Sequence, residues 1–257
     1  MANIIDTHSH LADPKFDNDR HDVIRRAQEA GIVAMIAVAD TLRSIDDVVD
    51  LARQYDVIYP TAGIHCHYAE STLDSDIEQL ENILHRTSDI VAVGETGIDL
   101  FYGKDTLVRQ TQLFETHVKL SLEFGLPLVI HCRDAEQYIL DILSRYPDAT
   151  GVFHCFSGND IFCRQVVDIG FYVSFSGIVT FKNAEQIRKA VLSAPVDKIL
   201  VETDCPYLAP QGYRGNRNEP SYILKTVECI AETLQLPFED VARKTTENAR
   251  ILFGIGR

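Results

Sequence analysis

Short apolar runs recur along the chain at 3–6, 32–39, 57–62, 90–94, 127–130, 151–153, 171–175 and 198–201. They are rich in Val and Ile and bounded by polar residues or glycine. That is the pattern of strands buried on both faces of a parallel sheet. Between most of them lie stretches whose apolar residues fall on one side of a helix. Residues 43–55 carry Ile45, Val48, Val49, Leu51 and Ala52, and 74–86 carry Ile77, Leu80, Ile83 and Leu84; 106–124, 135–146 and 221–234 follow the same rule. Pro220, after Asn218 and Glu219, suits the first turn of the last helix. Eight strands alternating with helices predict an α/β fold, a (β/α)8 TIM barrel forming a single domain over 1–257. A doubly wound sheet would carry a Gly-rich phosphate loop after a strand. The nearest match, Gly97 to Gly103-Lys104, has five residues between its glycines and Asp105 in place of Ser or Thr, so it is rejected.

The ionisable residues line up on this frame. His8 and His10 follow the first run, His65 the third, Glu95 the fourth, His131 the fifth, His154 the sixth and Asp204 the eighth. In a barrel the C-terminal strand ends carry the active site. His21, His85 and His117 fall on predicted helices and read as surface or packing residues, and His67 lies in a loop beside the site. Strand parity puts Asp6, His8 and His10 on one face, and likewise Glu202 and Asp204. Cys132, Cys155 and Cys205 each follow a candidate ligand and are expected to face the helices as buried small apolar groups. Imidazoles and carboxylates gathered this way suit Zn²⁺, Mn²⁺, Ni²⁺ or Fe²⁺, with Mg²⁺ where carboxylates dominate. One ion takes about four ligands, and the surplus points to two ions. The first-strand histidines and Asp204 would hold one, and His131 and His154 the other. Glu95 would bridge, since a carboxylate has two oxygens to offer.

Charge narrows the partners. Lys and Arg number 24 against 38 Asp and Glu, a net charge of −14, which argues against a broad, sequence-independent grip on duplex DNA. The first residues show no basic flank and long apolar run, and no run approaches a membrane span. The six cysteines form no Cys-x-x-Cys pair and read as reduced thiols. A cytoplasmic protein with no membrane association and no stable protein partner is expected.

Seven motifs in order complete the reading. They are Asp6-Thr7-His8-Ser9-His10-Leu11, Gly63-Ile64-His65-Cys66-His67, Gly94-Glu95-Thr96-Gly97-Ile98-Asp99, Ile130-His131-Cys132-Arg133-Asp134-Ala135, His154-Cys155-Phe156-Ser157-Gly158, Glu202-Thr203-Asp204-Cys205-Pro206-Tyr207-Leu208 and Arg214-Gly215-Asn216-Arg217-Asn218-Glu219-Pro220. Across essentially its whole length the chain resembles the TatD family of metal-dependent deoxyribonucleases, of the amidohydrolase-like superfamily. The resemblance implies a (β/α)8 barrel and a 3′→5′ exonuclease acting on a DNA end, preferring single strands, with two divalent ions activating water. It implies that His8, His10, Glu95 and Asp204 hold one ion and Glu95, His131 and His154 the other. One departure is Cys66, where relatives usually have proline between the two histidines; proline would fix φ there.

On this reading Asp204 accepts the proton of the attacking water. Glu202, one layer deeper, orients a ligand or water, and His65 hydrogen-bonds the developing phosphate charge. Arg133, Arg214, Arg217 and Asn218 are the expected substrate contacts. Phe101, Tyr102, Tyr207 and Tyr213 lie in strand-end loops where a terminal base could stack. The alternative is amidohydrolase-type attack on a small amide, lactone or ester, since barrel chemistry is set by loops and not by the fold. A metal-binding scaffold without catalysis fits the ligand surplus poorly.

Overall fold

A computed structural model describes residues 3–256. The chain runs β1 (Ile4–Ser9), α1 (Arg20–Glu29), β2 (Ile32–Ala37), α2 (Leu42–Gln54), β3 (Ile58–Ala62) and α3 (Asp74–Arg86). It continues with β4 (Ala92–Asp99), α4 (Leu107–Phe124), β5 (Leu128–Arg133), α5 (Glu136–Leu143), β6 (Gly151–Phe153) and α6 (Asp160–Asp168). Then come β7 (Tyr172–Phe175), α7 (Glu185–Ser193), β8 (Ile199–Val201), α8 (Ile223–Leu234) and α9 (Phe238–Phe253). The strands are ordered β1 to β8 in one eight-stranded sheet, and every described pairing is parallel. With helices in the connections, this is the TIM-barrel fold.

The elements gather into two compact units. In the first, made of the described residues up to Ala37 and from His154 onward, β1 pairs with β2 and β7 with β8. Past β8, the Asp204 N–H donates to His8 O at 2.9 Å and the His10 N–H to Cys205 O at 2.8 Å. The Asn248 amide on α9 donates to Val196 O and Ile199 O, and the Thr246 hydroxyl to Asn3 O. The last helix therefore ties down the entry of β1 and β8. Buried Thr245, Thr246 and Asn248 interrupt the apolar stripe of α9, which is why its pattern did not predict a helix. The short helices α6 and α7 and the charge-rich α1 bury only a few apolar residues each and were missed in the same way.

In the second unit, the described residues from Val38 to Phe153, β3 pairs with β4, β4 with β5 and β5 with β6. Here β4 is longer than the apolar run predicts. It continues through Glu95, Thr96 and Asp99, all buried. Gly97 allows β4 and β5 to approach closely at this level: a methyl group there would overlap the carbonyl oxygen of His131. β1 and β5 are likewise longer than predicted, so His8, Glu95 and His131 lie inside strands and not just beyond them.

His117 on α4 is fully buried, which bears out its reading as a packing residue. Its Nε2 accepts the Ile64 N–H at 3.0 Å while Nδ1–H donates to Leu113 O at 2.8 Å. The ring thereby anchors the chain just before His65. Burial pushes its pKa down to about 4, only partly offset by the bond to Leu113 O. Because the folded value lies below the ordinary 6.5, the stability His117 confers is complete above pH 6.5 and is lost as pH falls toward 4. About 1.4 kcal/mol per pH unit gives a loss of about 2–3 kcal/mol by pH 4.5. Urea unfolding at pH 7.5 and 4.5 checks this: His117→Gln is expected to start less stable and to lose less on acidification than the parent. An equal loss in both proteins would refute the assignment.

Candidate metal centre

Each unit presents its own set of imidazoles and carboxylates. In the first, His8 near the end of β1, His10 just past it and Asp204 beyond β8 converge. His8 Nε2 and His10 Nε2 are 3.2 Å apart, and Asp204 Oδ1 lies 3.6 Å and 3.4 Å from them. Ligands about 2.0–2.1 Å from a tetrahedral ion lie roughly 3.3–3.4 Å from one another. The triangle therefore has the dimensions of one face of such a site. Burial would raise the Asp204 carboxyl, but the hydrogen bond with His10 and the field of His8 hold it below its ordinary value.

Strand parity does not bring Asp204 here, because β8 ends at Val201 and Asp204 is left-handed at φ 58°. Asp tolerates this region better than most residues. Asp6 steadies the same turn. Its Oδ1 accepts the Thr203 N–H at 2.9 Å and its Oδ2 the Thr203 hydroxyl at 2.6 Å. Burial pushes the Asp6 pKa up to about 7 despite these bonds.

His154 follows β6, its ring stacked on His8 at 3.8 Å. Glu202 is fully buried below. Its Oε1 accepts the Cys155 N–H at 2.7 Å and lies 3.4 Å from His154 Nδ1. Cys155 is itself left-handed at φ 42°, so Glu202 fixes the turn that aims His154. Glu202 Oε2 is buried with no hydrogen-bond partner among the described residues. An orphaned carboxylate oxygen is costly, and ligand atoms of His8, His154 and Glu202 all lie within 4.8 Å of one another. A cation held there would answer that cost. Cys155 does not face the helices as expected, since its Sγ lies 3.2 Å from Ser176 Oγ. Cys155 and Cys132 are half-buried, and only Cys205 of the three is fully enclosed.

In the second unit Glu95 Oε1 lies 3.1 Å from His65 Nε2 and 3.2 Å from His131 Nδ1. The opposite nitrogen of His131, Nε2, is 3.1 Å from Asp99 Oδ2, and His67 Nε2 is equally close to the same oxygen. Asp99 Oδ1 accepts the N–H groups of Phe101 and Tyr102 at 2.9 and 2.8 Å. Burial would raise this carboxyl, but the bonds from His131, Tyr102 and His67 outweigh it and hold it well below the usual range. Asp99 thus holds His131 through Nε2 while Nδ1 faces Glu95, the arrangement in which a carboxylate orients a metal-binding imidazole. His65 Nδ1 accepts the His67 N–H at 3.2 Å. Burial pushes the His65 pKa down, with Glu95 opposing, so the ring is neutral and carries its proton on Nε2. His65 is a donor toward Glu95.

The roles of Asp99 and His67 escaped the sequence reading. Parity held the signal for Asp99: positions 95, 97 and 99 share a face once β4 is followed past the polar residues.

The expected substrate contacts divide. Asn218 is buried, its amide donating to Thr203 O and Tyr207 O and its side-chain oxygen accepting the Glu219 N–H. Arg217 pairs with both Asp19 oxygens at 2.7 Å, donates to Lys15 O and covers the Phe16 ring. In this structure both brace the loop after β8. Pro220 opens a 3-10 turn ahead of α8, and Glu219 binds Arg26 there instead of capping a helix. Arg214 is exposed over the Phe181 ring, and Arg133 lies over Phe101 and Tyr102. Tyr213 stacks on Tyr222, and Tyr207 is capped by Lys15.

A TIM barrel with buried His and carboxylate sets at its strand ends defines a metal-dependent hydrolase. The family model described as TatD related DNase matches residues 5–254, and the chain belongs to the TatD family. It is 37% identical over 254 residues to the uncharacterized metal-dependent hydrolase YabD of Bacillus subtilis, covering 98% of this chain and 99% of that protein. It is also 37% identical to the uncharacterized metal-dependent hydrolase YcfH of Escherichia coli, covering 98% of this chain and 96% of YcfH. The crystal structure of YjjV, a TatD homologue of Escherichia coli K12, superposes with a TM-score of 0.94 at 29% identity, over 99% of each chain.

The Asp99 arrangement has a measurable consequence. Asp99→Asn is expected to weaken divalent-ion binding about 10- to 100-fold, read by calorimetric titration of metal-stripped protein with Zn²⁺ or Mn²⁺. Unchanged affinity would remove Asp99 from the role of holding His131.

Proposed function

We propose that the protein hydrolyses phosphodiester bonds at DNA ends, as a 3′→5′ exodeoxyribonuclease preferring single strands and using two divalent ions. The observation that carries the proposal is the pair of partly buried ligand sets, His8–His10–Asp204 and Glu95–His131, within a chain matched by the TatD related DNase model. Following the family resemblance, His8, His10, Glu95 and Asp204 would hold one ion and Glu95, His131 and His154 the other. Bound ions would supply Lewis-acid activation of water and neutralise charge on the phosphate.

The chain's own residues do the rest. Asp204 Oδ1 faces His8 and His10, so Oδ2 is the atom that takes the proton of the attacking water. His65 Nε2–H steadies Glu95 at rest and is the donor available to the phosphate as charge develops. Glu202 fixes the Cys155 turn and with it His154, and Arg133 and Arg214 supply cationic contacts to the strand. None of these steps requires a long positive surface, in keeping with the net charge of −14.

Metal-stripped protein is expected to be inert on 3′- and 5′-labelled single strands and to regain hydrolysis with Mg²⁺, Mn²⁺, Zn²⁺ or Ni²⁺, shortening strands from the 3′ end. Asp204→Asn is expected to lower kcat about 10²- to 10⁴-fold with the circular dichroism spectrum unchanged. Glu95→Ala is expected to lose metal-dependent activity together with one bound ion. Survival of activity with two ions still bound would refute the shared ligand. Hydrolysis of simple lactones, esters or amides without hydrolysis of any oligonucleotide would replace this reading with the amidohydrolase one.

A further inference from the structure

We propose that Phe101, Tyr102 and Arg133 form a nucleobase-stacking subsite beside the ligand His131, which grips a base of the single strand next to the bond being cut. The proposal rests on the nuclease reading and names the part of the substrate that this site recognises.

Phe101 and Tyr102 follow β4 and are among the most exposed large apolar side chains, at 55% and 68%. Large aromatic rings left in water signal a contact surface more often than isolated aliphatic residues do. They are not loosely held. Their N–H groups both donate to Asp99 Oδ1, and the rings meet edge to face, 4.7 Å between centroids at 87°. The Arg133 guanidinium lies 4.0 Å from the Phe101 centroid and 4.9 Å from that of Tyr102. A planar cation over aromatic faces offers a stacking surface and a charge for the neighbouring phosphate at once. The backbone of this platform is ordered before any strand arrives, so little freedom remains to be lost on binding.

Its position is tied to the chemistry by one carboxylate. Asp99 Oδ1 holds the platform backbone while Oδ2 holds His131 and His67. The Tyr102 ring meets the His67 ring at 5.8 Å, and His67 meets His131 at 6.1 Å. A base on the platform is therefore in register with the ligand set. Every base has a π-face, so the subsite tolerates any sequence and favours purines for their larger area.

The test uses full-length protein loaded with Mn²⁺, a single-stranded oligonucleotide, and the same strand with its two 3′-terminal bases replaced by abasic tetrahydrofuran residues. The unmutated protein is expected to show a KM about tenfold lower for the base-bearing strand. The double variant Phe101→Ala, Tyr102→Ala is expected to show one KM for both strands. A double variant that keeps the discrimination overturns the subsite, as does an unmutated protein that shows none. If neither strand is cut, the nuclease reading fails separately, and titration of a single strand carrying 3′-terminal 2-aminopurine decides the subsite. Fluorescence quenching by the unmutated protein that the double variant lacks supports it. Equal quenching by both, or none by either, overturns it.

Discussion

Buried carboxylates set the terms for this structure. Asp6, Glu95, Asp99 and Glu202 are all nearly or fully enclosed, and an ionised carboxylate in such a place must be satisfied or neutralised. Each is answered differently. Asp99 receives two imidazoles and two backbone N–H groups and stays strongly acidic. Asp6 has the Thr203 N–H and hydroxyl and keeps its proton up to near neutrality. Glu95 faces two histidines, while Glu202 holds one backbone N–H and leaves an oxygen over. The carboxylates that protein donors satisfy brace the site. Glu95 and Glu202 stand among histidines, in groups that could hold a divalent ion.

That division explains why the ligands can be placed so closely. His131 is fixed by Asp99 from behind, and His154 by the turn that Glu202 holds at Cys155. Asp204 is carried by a left-handed turn bonded to His8 O and pinned through Thr203 to Asp6. Imidazoles fixed in this way lose little conformational freedom when an ion arrives. The parallel strands contribute direction, and the buried hydrogen bonds contribute precision that strand geometry alone does not give.

The architecture and the gathering of histidines and carboxylates at strand ends were legible in the sequence because both depend on local, periodic signals. Val- and Ile-rich runs mark strands, and His8, His65, Glu95, His131 and His154 stand at or near their ends. What was not legible depended on contacts between distant residues. Apolar runs stopped at Gly94 because Glu95, Thr96 and Asp99 are polar, although the strand continues through them. α9 was hidden by buried Thr245, Thr246 and Asn248, whose value lies in bonds to Asn3, Val196 and Ile199. Arg217 and Asn218 had the composition of a substrate loop, but composition does not reveal that Asp19 and the carbonyls of Thr203 and Tyr207 already occupy them. Cys66, in the place where proline is usual in relatives, is enclosed between two histidines, and its thiol is pushed well up by burial. It fills the turn without supplying a thiolate.

The fate of the arginines reshapes the argument from charge. With a net charge of −14, any grip on a polyanion must be local. Arg217 and Arg26 are both spent on Asp19 and Glu219, so the loop after β8 offers less positive charge than its sequence promises. Long-range attraction of a strand is correspondingly weak and sensitive to salt. If the protein acts on DNA as proposed, binding would have to come from short-range terms: ions held between carboxylates and imidazoles, and faces on which bases can lie. A site of that kind would take a free end, where a base can leave its neighbours and stack on the protein. It would gain little from the interior of a duplex, where the bases are already stacked and only the repelled phosphates are presented.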